Sequence, residues 1–88
     1  MIKLGISAFY HDSAACITNG NLVLAAAEEE RFTGIKHDSS FPINAIKWLL
    51  RSTVTDISQI QEIHWYENPE TKDDRVKTIF NKRPIRTF

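Results

Sequence analysis

Two apolar runs flanking Asn-Gly-Asn constrain this chain more than any other feature. In "SAACITNGNLVLAAAE" (residues 13–28) the Asn and Gly residues accept the positive φ of a tight primed turn. Residues 13–18 and 22–28 are therefore expected as an antiparallel hairpin. Upstream, "IKLGIS" (2–7) alternates Ile2, Leu4 and Ile6 with Lys3, Gly5 and Ser7, the period of a half-buried strand. The unbroken apolar character of 22–28 predicts burial on both of its faces. The first 28 residues thus read as a three-stranded meander.

The remainder reads as helix, strand and helix. Residues 30–40 carry no clear period and are expected as a loop. Ser40 is placed to cap a helix with Pro42 in its first turn, where a missing N–H costs nothing. Ile43, Ile46, Leu49 and Leu50 fall on one face of that helix. "IQEIHWYE" (60–67) reads as a fourth strand, reached by a short connection suited to a right-handed crossover. Residues 69–82 read as a weaker helix with Val76, Ile79 and Phe80 as its apolar stripe, ended by Pro84. The order β-β-β-α-β-α is an α/β arrangement, the way a ribonuclease-H-like or actin-like ATPase domain begins. Such domains continue with further elements, so residues 1–88 are expected to be one partial domain.

At 88 residues the chain holds one small domain with a modest core. A hydrophobic content of 42% with 25% charged residues is ordinary for a globular chain and argues against disorder. No apolar run approaches bilayer length and the opening lacks the layout of a secretory signal, so no membrane is expected. The single Cys16 forbids an internal disulfide, and a reducing cytoplasm is the expected location. The net charge is zero, but residues 72–88 hold six of the 11 Lys and Arg residues and two of the 11 acidic ones. That basic tail raises nucleic-acid binding as the least favoured reading, behind an ordinary solvated surface.

Several side chains can carry chemistry. His11, in the loop between the first two strands, can take a proton from a hydroxyl near neutral pH. Asp12 beside it can orient it only if the loop is kinked, because neighbours in extended chain point apart. Spacing alone leaves His11 open between a catalyst and a hydrogen-bonded turn residue. Glu28, Glu29 and Glu30 can hold Mg²⁺ or run acid–base chemistry, but a charged strand end entering a loop looks the same and is commoner. "KHD" (36–38) puts an amine, an imidazole and a carboxylate in one loop, with Lys36 suited to a phosphate. His64 reads as structural and Cys16 as an inert core thiol. No phosphate-binding glycine motif is present.

Taken together, "HDSAA", "EEERF" and "KHD" followed by "FP", in this order and spacing, closely resemble the amino-terminal start of the carbamoyltransferase family that includes nodulation and antibiotic O-carbamoyltransferases. The resemblance runs from about Leu4 to Leu50 and continues more weakly through "YENP" and "RPIRTF". It implies a longer enzyme that fuses an actin-like, Kae1-like domain with a YrdC-like domain. The latter makes carbamoyl adenylate from carbamoyl phosphate and ATP; the former passes the carbamoyl group to an acceptor hydroxyl. On this resemblance His11 matches the general base and Lys36 a lysine that contacts the adenylate. Phe9 and Tyr10 match the acceptor pocket, and Asp12 is counted with them as substrate-binding. An iron site is implied with ligands beyond Phe88, so no metal ligand is expected in this chain, His37 and His64 included. Gly34 departs from the basic residue usual at its position. The implied partners are the rest of the enzyme and a small hydroxyl acceptor. The rival expectation is a non-catalytic truncated module that folds by self-association, through an exposed sheet edge, or by pairing with a partner chain.

Overall fold

The computed structural model describes residues 1–9 and 12–65 and the backbone of 85–87. Five strands, β1 (Ile2–Ser7), β2 (Ala14–Asn19), β3 (Leu22–Glu28), β4 (Ile60–Trp65) and β5 (Ile85–Thr87), form one mixed sheet in the order β3-β2-β1-β4-β5. The meander pairs antiparallel, whereas β4 lies parallel to β1 and β5 parallel to β4. The hairpin turns where expected. Gly20, at φ 62, takes the first central position of a two-residue loop, the place where a type II′ turn needs a residue without Cβ.

Helix α2 (Ile43–Ser52) lies on one face of this sheet. Leu4, Ile6, Ala15, Ile17, Ile60 and Ile63 meet Ala45, Ile46 and Leu49, all 3% exposed or less. Each large aliphatic side chain sealed here contributes roughly 1.5–3 kcal/mol. The alternation of β1 survives intact, with Leu4 and Ile6 inward. In β4 it does not, because a register shift leaves Gln61 unpaired between Ile60 and Glu62 and returns Ile63 to the core.

Several expectations are corrected. β3 is an edge strand rather than one buried on both faces, with Leu22 64%, Val23 61% and Leu24 39% exposed. A bulge at Leu24, between the pairs Ile17–Ala25 and Thr18–Val23, breaks its alternation. The loop after β3 opens with a helical turn, α1 (Glu30–Thr33), closed by Gly34 at φ 71. Ser40 does not cap α2; its hydroxyl donates to Asp38, and Pro42 occupies the cap position. The fifth strand was not anticipated. The helix expected over 69–82, the end of the fourth strand beyond Trp65 and most of the basic tail lie outside the described residues. Among the described residues no helix is long and apolar enough to cross a membrane.

Candidate functional site

The carboxyl ends of β1 and β4 open toward two stretches, residues 8–9 with 12–13 and residues 34–42, that hydrogen bonds join edge to edge. Phe9 N–H donates to Ser39 O at 2.7 Å, and Ser13 donates to Asp38 O from both its backbone N–H (2.7 Å) and its hydroxyl (2.9 Å). Ser13 is fully buried, so these bonds are shielded from water. Phe9, Asp12 and Ser13 therefore form one surface with His37, Asp38 and Ser39, although 25 residues separate Asp12 from His37.

Each loop has its own scaffold. Asp38 accepts from the Ser40 hydroxyl (2.6 Å), the Ser40 N–H (2.9 Å) and the Thr33 hydroxyl (2.7 Å). The Ser40 hydroxyl, then its N–H, then Thr33 hold the Asp38 carboxyl below the usual carboxylate range. Glu29 is 1% exposed and reaches the start of α2, where it accepts from Ala45 N–H (2.8 Å), the Asn44 side-chain amide (2.8 Å) and Asn44 N–H (3.3 Å). It is a helix anchor, not one of three equivalent surface carboxylates. Glu30 accepts from His37 N–H at 2.7 Å. Glu28 points to the other face of the sheet.

Asp12 Oδ1 lies 2.7 Å from His37 Nδ1. That hydrogen bond first, and then the carboxylate's charge, raises the His37 pKa above 6.5, with smaller contributions from Glu30 and Glu28. His37 sits at φ 56, a left-handed conformation that few residues adopt without a tertiary reason. Lys36, beside it, is exposed. Phe9, also left-handed at φ 70, stacks on Trp65 with ring centroids 6.0 Å apart, and Phe41 stacks on Trp65 at 6.2 Å. The indole N–H of Trp65 is buried and has no hydrogen-bond partner among the described residues.

Of the residues expected to act, Asp12 and Lys36 lie on this surface and Phe9 at its root against the core. Tyr10 and His11 lie outside the described residues. His64 bonds Glu62 at 3.0 Å on the sheet face away from α2. Sequence reasoning passed over the Asp12–His37 pair and the division of labour among Glu28, Glu29 and Glu30. The only sequence signal for the pair was the presence of complementary groups in two loops.

Asp12, Glu30 and His37 bring one ligand-type atom each within 4.8 Å of one another. Two of those atoms are 2.7 Å apart and share a proton, and Glu30 is engaged by the His37 backbone. As it stands the cluster does not present three open ligand atoms. A separate recess of about 740 Å³ opens on the sheet face away from α2, floored by Gly5, Ala14, Cys16 and Ala26 and rimmed by Arg31 and His64. None of Phe9, Asp12, Lys36 or His37 lines it, so the loop surface with its converging polar groups is the better candidate site.

A mixed sheet of this order, with its polar loops at the strand ends, is the opening half of an actin-like ATPase fold. A solved protein of Pseudomonas aeruginosa with similarity to the peptidase YEAZ has that fold, with a TM-score of 0.68 over 99% of this chain and 42% of its own, at 9% identity. The family model for the carbamoyltransferase N-terminus matches residues 2–87, and the chain belongs to that family. It is 40% identical over 88 residues to an uncharacterized protein of Synechocystis and 38% identical over 58 residues to the nodulation protein NolNO of Sinorhizobium fredii. It covers 97% and 66% of itself in these matches, but only 14% and 8% of the relatives' lengths. An uncharacterized 19.2 kDa protein of Rhizobium etli is 38% identical over 60 residues, 68% of this chain and 35% of that protein.

Proposed function

We propose that this chain is the amino-terminal portion of an O-carbamoyltransferase that moves a carbamoyl group from carbamoyl adenylate, made from carbamoyl phosphate and ATP, to an acceptor hydroxyl. The observation that carries the reading is the joining of residues 9 and 13 to residues 39 and 38, which sets the family's two motif loops side by side. In this reading His11 is the general base toward the hydroxyl and Lys36 meets the adenylate phosphate. Phe9, Tyr10 and Asp12 border the acceptor. Base catalysis supplies about 10²–10⁴-fold. The remaining acceleration needs the positioning and charge stabilisation of polypeptide that these residues do not include, so the chain alone is inactive. Iron, where the complete enzyme holds it, binds to that other polypeptide.

In the complete enzyme His11→Ala is expected to abolish carbamoyl transfer and spare adenylate formation. Transfer at a near-normal rate overturns the assignment.

A second reading, a non-catalytic module that pairs with its own copy, is favoured by β3. This edge strand has no charge and no proline over Leu22–Ala27 and exposes three successive apolar side chains. Scattering that shows a compact monomer at high concentration rules it out. A dimer dispersed by Val23→Lys supports it.

A further inference from the structure

His37 is the one described imidazole at the loop surface, and its setting is that of a proton carrier. A carboxylate on Nδ1 fixes the ring and keeps a proton on that nitrogen, which leaves the Nε2 lone pair as the basic position. The backbone is pinned independently by the 2.7 Å bond from His37 N–H to Glu30, in a left-handed conformation at φ 56. The side chain of His37 is 68% exposed, so a proton taken there passes directly to water.

We propose that His37 is the terminal proton acceptor of the transfer reaction, with Asp12 as its positioning residue; this rests on the carbamoyl-transfer reading above. As the acceptor oxygen bonds the carbamoyl carbon, its O–H bond breaks and the base of the site removes the proton. The bond from the carbamoyl carbon to the adenylate oxygen breaks at the same time, and AMP leaves with that electron pair. The proton comes to rest on Nε2 of His37, and the imidazolium releases it to solvent. The charged groups around His37 suit the task. Asp12, Glu30 and Glu28 favour the imidazolium, while Lys36 and Asp38, its chain neighbours, contribute opposite charges. The hydrogen bond and charge of Asp12 raise the affinity of the ring for a proton.

Two measurements test this. On the 88-residue chain, NMR titration of the imidazoles in wild type and Asp12→Asn is expected to place the His37 midpoint above 6.5 and to lower it in the variant. A midpoint that the substitution leaves unmoved overturns the pairing. In the complete enzyme, His37→Asn, chosen because Asn tolerates the left-handed backbone, is expected to slow carbamoyl transfer at least about tenfold while adenylate formation continues. Asp12→Asn is expected to move the pH–rate limb downward with the NMR midpoint. Full transfer by His37→Asn overturns the role of His37 and leaves the transfer reading standing. A wild-type enzyme that makes adenylate but carbamoylates no alcohol overturns both.

Discussion

The Glu29 carboxylate accepts a 2.8 Å hydrogen bond from the Ala45 backbone N–H, joining the end of β3 to the start of α2 across 16 residues. Helix N-termini carry unpaired N–H groups and a partial positive charge, and a buried carboxylate answers both. The polar loop between Glu29 and Ala45, which holds Lys36, His37 and Asp38, is thereby closed at its base. Site geometry and helix anchoring depend on the same acidic side chain.

Replacing Glu29 by Ala leaves the N–H groups of Asn44 and Ala45 without that acceptor. A loss of about 2–4 kcal/mol is expected in urea unfolding. Glu29→Gln, which keeps an acceptor oxygen, should lose less. Equal losses would show that charge, not hydrogen bonding, is what α2 requires.

Gly5 pairs with Cys16 across the β1–β2 ladder, and a Cβ built on it would sit 2.8 Å from Cys16 Sγ. Gly5→Ala is therefore expected to destabilise by about 1–3 kcal/mol through overpacking. Cys16→Ala removes the obstructing sulfur, so the double variant should recover most of that loss. A strictly additive double-mutant cycle refutes the steric account.

At the end of α2, Thr55 N–H donates to Leu50 O (2.9 Å) and Val54 N–H to Arg51 O (3.2 Å), the pair of bonds of a Schellman motif. The left-handed position falls on Val54, φ 52 and 89% exposed, where a β-branched residue is strained and buries nothing. Val54→Gly is expected to raise stability by about 1 kcal/mol, read as a higher urea midpoint at unchanged slope. A lower midpoint contradicts it.

Two groups shape the pH dependence from opposite sides. Asp38 has its folded pKa depressed from 3.8, so its contribution is present above 3.8 and is lost as pH falls through the lower folded value. His37 has its folded pKa raised from 6.5, so its contribution is present below 6.5 and is lost as pH rises through the raised value. Thermal midpoints measured from pH 2 to 9 should fall at both ends. Asp38→Asn should flatten the acid side and Asp12→Asn the alkaline side; unchanged slopes would dissociate these pairs from stability.

Local order was legible in the residues. The alternation of Ile2, Leu4 and Ile6, the Asn-Gly turn and the period of Ile43, Ile46 and Leu49 each express a preference that neighbours impose on one another, and the strands and helix follow them. The candidate loops were legible as chemistry, since "FYHDSAA" and "KHD" carry the groups themselves. What neighbours cannot encode is where an element lies in the sheet. "LVLAAAE" looks the same whether central or at an edge, and only the pairing order left it outermost. The bulges at Leu24 and Gln61 reset inward and outward faces for the same reason. Which of three consecutive glutamates would be buried, and which carboxylate would meet His37, depended on distances created by packing α2 on the sheet. Short-range sterics set the segments, and burial across long loops chose their partners.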